Sequence, residues 1–392
     1  MNTWPLDKDE AAALSELNEA GIESALIYLT DTGMKKSILD ATLPLRQLLT
    51  TAAIHNYDNQ LKGPKNKVVL PAIFYKSGNA QDMDVSVYRP LTKNGDPRLW
   101  PYKLTKYAKA GDVLAVFVHD KKLHFTNLSA ARVIEIYPFE SDLTKLLSNK
   151  TFDYEEVAQE LLEMLRQVAR NGLIPAVGSG DTAIGRTIES ALGISMNANQ
   201  LPDYKGIELK SKRTLSHTRN GLFAQVPNWE VSNLKSFREI VDNYGYKSSA
   251  DFRLYCTISS KKANSQGLIL HVDENKKLLE ELHRRNNCDT KVCVWLLNKL
   301  HDRLQSKHRE TFWIGAEEVS RGSKKYFRLD NVRHTRRPSN IQFDRLLTQG
   351  DITVDHMIKM KNGRTHEKGP QFKVHRGALN ELFLGSPRDY RL

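Results

Sequence analysis

The sequence predicts two domains, a β-rich α+β module followed by a larger α/β module, on three observations. The chain has 392 residues, more than a single hydrophobic core usually serves. Its first third strings together short apolar or alternating runs separated by Gly, Asn, Asp and Pro, the punctuation of a barrel or sandwich. From about residue 151 onward, strand-like runs mix with amphipathic helical stretches, as layered α/β folds require. With 40% hydrophobic and 27% charged residues, the composition is globular, neither disordered nor fibrous.

Taken in order, Pro44 to Ala53 has helical periodicity. Strand candidates follow at Lys67 to Tyr75, Val85 to Tyr88, Val113 to Val118, Leu123 to Leu128 and Arg132 to Tyr137. A polar stretch between Pro138 and Thr151 marks a boundary, so the expected domains are residues 1–145 and 151–392. Asp153 with Glu156 three residues on is a capping box. It opens a helix whose stripe, Val157, Leu161, Met164, Leu165 and Val168, stops at Asn171-Gly172. Further strands are expected at Gly206 to Lys210, Leu222 to Val226, Arg253 to Ile258 and Val292 to Leu297, with a helical segment at Lys276 to Arg285. No internal repeat is present, which excludes a solenoid.

No run of 18 apolar residues occurs, and Met1 to Glu10 is acidic, so neither a spanning helix nor a signal peptide is expected. Three cysteines, Cys256, Cys288 and Cys293, are too few and too odd in number for a disulfide framework, which points to a reducing cytoplasm. The net charge is +12, and the excess sits at one end. Residues 1–150 carry 19 Lys/Arg against 17 Asp/Glu, residues 151–300 carry 20 against 18, and residues 301–392 carry 19 against 11. Such a surface suits a polyanion, nucleic acid first; an ordinary solvated basic face is the alternative.

The stretch from Pro175 to Arg213 carries the chemistry. In a strand over Gly206 to Lys210, Glu208 and Lys210 share one face while Ile207 and Leu209 point to the core. Asp203 lies five residues before Glu208, near the strand entrance. Two carboxylates make a hard oxygen site for Mg²⁺, and a neighbouring lysine offsets charge that develops at a phosphate. The alternative is a turn-capping Asp203 and an exposed Glu208/Lys210 pair. Ile184, Ile188 and Leu192 form a helical stripe ending at Gly193, which places Glu189 on a helix just before the acidic strand. Gly178, Gly180 and Gly185 fit neither a P-loop nor a dinucleotide fingerprint.

Gly180-Asp181-Thr182-Ala183-Ile184-Gly185, Glu189, Leu192-Gly193-Ile194, Pro202-Asp203 and Gly206-Ile207-Glu208-Leu209-Lys210-Ser211 together resemble the catalytic core of the MvaI/BcnI restriction endonucleases. These are MutH-like members of the PD-(D/E)XK nuclease superfamily. The resemblance implies a restriction-endonuclease-like nuclease domain, Asp203 and Glu208 as metal ligands for Mg²⁺, Lys210 as catalytic lysine and Glu189 as a supporting acid. It implies base contacts from His366 and Lys373 within Gly363 to Val374, although Lys373 stands where arginine is expected. A lysine offers guanine a point charge where arginine offers a planar fork.

Tyr28-Leu29-Thr30-Asp31-Thr32-Gly33, Tyr88-Arg89-Pro90 and Pro97-Arg98-Leu99-Trp100 are similar to the effector domain of EcoRII-type enzymes, a DNA-binding pseudobarrel. That likeness implies two DNA-clamping arms, about Thr30 to Thr42 and Tyr88 to Tyr107, carrying Lys35, Lys36, Arg89, Lys93 and Arg98. Basic residues alternating with Tyr88, Trp100, Tyr102 and Tyr107 suit such an arm; aromatics that merely cover the barrel end are the alternative. The implied function is a monomeric type IIE restriction endonuclease that cuts double-stranded DNA at CCWGG after the second C, with a second copy of the site as effector. A non-cleaving DNA-binding protein and a DNA-repair nicking endonuclease are the rival readings. An RNA-processing nuclease lacks any aromatic RNA-recognition motif.

Overall fold

Ser24–Tyr28 and Val113–His119 are continuous apolar runs, and the structure, a computed structural model, shows why. Each strand is covered on both faces. Ala25, Ile27, Leu114 and Val116 point into one core, while Leu26, Val113, Ala115 and Phe117 point into a second. Strands buried on both sides lose the polar alternation of a half-exposed sheet. The structure describes residues 6–19, 22–76, 79–130, 142–143, 156–180, 182–194, 202–248, 251–286, 288–384 and 387–392. The expected strand at Arg132 to Tyr137, the cap residue Asp153 and the motif residue Asp181 lie outside them.

The chain divides into two compact units. The first takes in Met1–Thr151 with Ser339–Arg345 and Leu384–Ser386. Its elements are α1 (Lys8–Glu19), β1 (Ser24–Tyr28), α2 (Asp31–Lys36), β2 (Leu39–Asp40), α3 (Leu43–Thr51), β3 (Val68–Lys76), β4 (Asn79–Tyr88), β5 (Arg98–Pro101), β6 (Val113–His119) and β7 (Lys122–Asn127). The strands form one seven-stranded sheet in the order β1-β6-β7-β3-β4-β5-β2. All seven send side chains into the core around α3, for example Ile27, Leu39, Phe74, Val87, Leu99, Val116 and Phe125. A sheet whose every strand faces one interior is barrel-like. Within this unit Ile341 joins the core, and Gln342 Nε2 donates to Ser24 O at 3.0 Å. A segment distant in sequence thus completes the first unit, so the compact units do not follow a single cut in the chain.

The second unit contains α4 (Glu156–Arg170), β8 (Ile174–Pro175), α5 (Ala183–Ala191), β9 (Glu208–Arg213), β10 (Asn220–Ala224), α6 (Phe237–Tyr244), β11 (Tyr246–Lys247), β12 (Phe252–Ile258), β13 (Leu268–Asp273), β14 (Leu278–Arg285), β15 (Cys288–Leu296), α7 (Leu297–His308), β16 (Glu310–Arg321) and β17 (Lys324–Arg336). After α8 (Asn340–Gln349), whose first residues belong to the first unit, come β18 (Ile352–Lys361), β19 (Arg364–His366), β20 (Gln371–Val374) and β21 (Arg388–Arg391). One sheet runs β21-β17-β16-β9, with β8 beside β17; a second runs β10-β20-β18-β12-β11, with β19 beside β18; a third is β13-β14-β15. β9 pairs with β16 in parallel. A parallel pair needs a long crossover, and this one holds the third sheet, part of the second and α7.

The helix expected at Lys276 to Arg285 is corrected to a strand, β14. Its Leu and Glu residues favour helix in isolation, but β14 is the central strand between β13 and β15. Tertiary pairing overrides such local preference. The buried glutamates find partners there: Lys291 Nζ lies 2.5 Å from Glu280 Oε1, and His356 Nε2 lies 2.8 Å from Glu281 Oε2.

The apolar stripes of α4 and α5 pack on the first sheet of the second unit, with Leu161, Leu165, Ile184 and Ile188 against Ile207, Leu209, Phe312 and Phe327. Phe312, opposite Leu209 in the β9/β16 register, is 1% exposed. Phe312→Ala is expected to cost about 3–5 kcal/mol, the usual range for truncating a buried phenylalanine. A urea midpoint equal to wild type would contradict this packing.

Candidate active site

The acidic strand begins with a tight turn. Tyr204 N donates to Ile207 O at 2.9 Å and Ile207 N returns a bond to Tyr204 O at 2.7 Å. Lys205 and Gly206 between them have φ of 43° and 96°, so both central residues are left-handed, as in a type I′ hairpin turn. The turn folds Asp203 back over β9, where its Oδ2 accepts from Leu209 N at 2.9 Å. Tyr204 Oη and Lys205 Nζ both donate to Glu160 of α4, at 2.9 and 2.7 Å, which anchors the turn. On the other side, α5 comes close enough to β9 that a Cβ on Gly185 would stand 3.4 Å from Ser211 Oγ and 3.8 Å from Glu189 Oε1.

Glu208 lies at the centre of these contacts and is 2% exposed. Lys210 Nζ lies 2.6 Å from its Oε1 and Lys307 Nζ, at the end of α7, lies 3.0 Å from its Oε2. Burial alone pushes the Glu208 carboxyl up, yet the two ammonium groups outweigh it and hold the group below the usual carboxylate value. Asp203 and Glu189 are shifted the other way. Burial and the charge of Glu208 raise Asp203, and burial and the charge of Asp203 raise Glu189. The three carboxyls therefore feel one another. Beside them His308 is fully buried, and burial pushes its imidazole down to about 4, so it is neutral.

This charge balance tests the fit of a divalent cation. Carboxylates held above their ordinary range by burial and mutual repulsion are stabilised by added positive charge. Asp203, so raised, and the neighbouring Glu208 carry oxygen donors of the kind that a divalent cation would take. Among the described residues no group of three His, Cys, Asp or Glu converges as a metal cage.

Glu208, Lys210 and Lys307 open onto a cleft of about 1300 Å³ in the second unit, also lined by Lys212, Arg219, Lys373 and Arg376. Asp355 organises its far wall. Arg219 donates to its two oxygens at 2.8 and 3.0 Å, Lys373 Nζ lies 2.8 Å away, and Thr257 Oγ1 donates at 2.7 Å. Of the two expected base-contacting residues, Lys373 is in this wall. His366 is exposed on β19, paired in register with Lys359, and is not among the lining residues. Sequence reading missed Lys307, Lys212, Arg219 and Arg376. The run Lys212, Arg213, His217, Arg219 directly follows the acidic strand and was a visible basic signal; Lys307, 99 residues from Glu208, had none.

In the first unit, Thr30 caps α2 by accepting from Gly33 N at 3.0 Å. A Cβ on Gly33 would lie 2.8 Å from Ile38 O, so the close return of the chain explains that glycine. Lys35 and Lys36 are exposed in the last turn of α2. Arg89 is turned toward its own loop, with Nε donating to Gly95 O at 2.9 Å and Nη1 to Tyr57 O at 3.3 Å. Arg98 is half-buried, and the side chain of Lys93 lies outside the described set.

The sequence profile of the MvaI/BcnI restriction endonuclease family matches residues 162–383. Among solved structures, restriction endonuclease MvaI in complex with cognate DNA aligns at a TM-score of 0.54 and 22% identity, over 61% of this chain and 99% of that one. MvaI in the absence of DNA aligns at 0.38 and 22% identity, over 62% and 99%. The first of these likenesses shows a shared fold. No curated protein sequence matches.

The raised Asp203 carboxyl has a consequence for stability. A carboxyl whose folded value exceeds its unfolded value contributes less as pH rises through the folded value. Asp203→Asn, which retains an acceptor for Leu209 N, is therefore expected to melt at or above wild type at pH 8. The difference should shrink as pH falls and the wild-type carboxyl takes its proton. Melting curves across pH check this, and a variant that melts lower at pH 8 and equal in acid would refute it.

Proposed function

Since the chain belongs to the MvaI/BcnI restriction endonuclease family, it is a site-specific DNA endonuclease of type II, and we propose that Mg²⁺ held by Asp203 and Glu208 serves its cleavage step. The observation that carries this reading is the buried Glu208 carboxylate at the head of a basic cleft, beside Asp203 and bonded by Lys210. When bound, the ion would polarise the scissile phosphate and lower the pKa of a water. Lys210, 31% exposed, orients that water and offsets charge on the phosphate. Glu189 orients from α5 without direct ligation, as outer carboxylates do. Lys212, Arg219 and Arg376 seat the duplex by its phosphates.

In the same reading His366 and Lys373 touch base edges, and the target is CCWGG, cut after the second C. The resemblance of the catalytic segment supports that sequence, and the fold shared with MvaI, seen with its cognate DNA, supports a duplex substrate. The first unit acts as a pseudobarrel effector module that binds a second site through Lys35, Lys36, Arg89, Lys93 and Arg98, which makes the enzyme type IIE. It works as a monomer in the cytoplasm; among the described residues no helix is long and apolar enough to cross a membrane.

Plasmid DNA incubated with and without Mg²⁺, followed by sequencing of the ends, tests the activity and the target together. Cuts in both strands at CCWGG are expected; single-strand nicks would favour the nicking alternative. Glu208→Ala and Lys210→Ala are expected to lower the rate by roughly 10³-fold, the scale of losing one preorganised electrostatic group, with gel-shift affinity in Ca²⁺ changed only a few-fold. A Glu208→Ala enzyme that cuts near the wild-type rate would misplace the site.

The effector role predicts that the full chain cuts two-site DNA faster than one-site DNA, and that Lys36→Ala narrows the gap. Equal rates on both substrates for wild type would leave the first unit without that role.

A further inference from the structure

Glu208 has an ammonium group on each carboxylate oxygen, and the two lysines are held differently. Lys210 follows along the same strand and is 31% exposed, whereas the Lys307 side chain is 12% exposed and arrives from α7. The end of α7 is pinned. His308 Nδ1 is 3.0 Å from Thr311 Oγ1, its Nε2 is 3.0 Å from Leu222 O, and its ring stacks on Trp313 at 5.7 Å. His308 is neutral, so it adds no charge. Lys307 also sits in the last turn of its helix, where the negative end of the helix dipole favours a cation.

A divalent cation that approaches either oxygen of Glu208 meets an ammonium group already bonded there, so ion and lysine repel each other over one carboxylate. We propose that Lys307 is a positioning residue: its ammonium acts as the resident counter-charge that holds Glu208 in place at the cleft, and it competes with a divalent cation for Glu208 Oε2. The inference rests on the two-carboxylate cation site proposed above. The helix end keeps Lys307 close when Oε2 is taken, and the cleft it lines is where a DNA phosphate would lie. Lys307 thus serves the site in two states, on the carboxylate before the cation binds and at the phosphate afterwards.

The test is a titration of the full-length protein with Mn²⁺ alone, followed by the EPR signal of the free ion. Lys307→Met keeps the aliphatic stem and removes the charge. It is expected to bind Mn²⁺ about tenfold more tightly, because a like charge within a few ångströms has been removed from a partly buried site. Its cleavage rate at saturating Mn²⁺ should nevertheless fall. Lys307→Arg should restore wild-type affinity for the ion. Lys307→Gln, which keeps a hydrogen-bond donor for Glu208, gives the same two readings where the methionine variant fails to fold. Wild-type protein that binds Mn²⁺, beside folded Met and Gln variants whose affinity is unchanged or weaker, overturns the role given to Lys307 alone. Wild-type protein that takes up no Mn²⁺ and cuts no DNA overturns the cation reading, and this inference with it.

Discussion

A carboxylate that is 2% exposed stays ionised only if positive charge is built in beside it, and the neighbourhood of Glu208 is arranged around that requirement. Lys210 comes from the next outward position of the same strand, and Lys307 from α7, the last helix of the long crossover between β9 and β16. The parallel register of those strands, Thr311 opposite Glu208 and Trp313 opposite Lys210, sets the end of α7 against the start of β9. His308 secures the junction through Thr311 and the carbonyl of Leu222. Loosening these contacts would weaken the ion pairs that offset the burial of Glu208.

The cleft repeats the principle at lower intensity. Asp355 is mostly buried, yet Arg219, Lys373 and Thr257 hold its carboxyl below the usual value against the opposing effect of burial. In return the carboxylate fixes the direction of Arg219 and Lys373, so two cations of the cleft wall are set before any ligand arrives. Paired side chains of this kind lose less rotational freedom on binding than free surface lysines do. The first unit uses its charges differently. Arg89 stitches its own loop to the carbonyls of Tyr57 and Gly95, while Lys35 and Lys36 stand exposed at a helix end.

What could be read from the residues alone was local. The turn before β9, with its glycine at φ 96°, and the alternation that sets Glu208 beside Lys210 depend on neighbours within a few positions. The α4 and α5 stripes are likewise short-range patterns of period 3.6. Sequence reading erred where local preference and global pairing disagreed: β14 carries helix-favouring Leu and Glu, and only its place between two strands, with Lys291 and His356 supplied by others, makes it a strand.

The sequence by itself determined that strands dominate the first third of the chain and which strand bears the acidic motif, because those features rest on periodicity and turn chemistry. Tertiary structure alone decided that Lys307 meets Glu208 across 99 residues, that Asp355 gathers Arg219 and Lys373, and that Ile341 enters the core of the first unit. The physical reason is the same each time. A contact between residues far apart in sequence leaves no periodic trace in either segment, and exists only once strand order and register bring the two together.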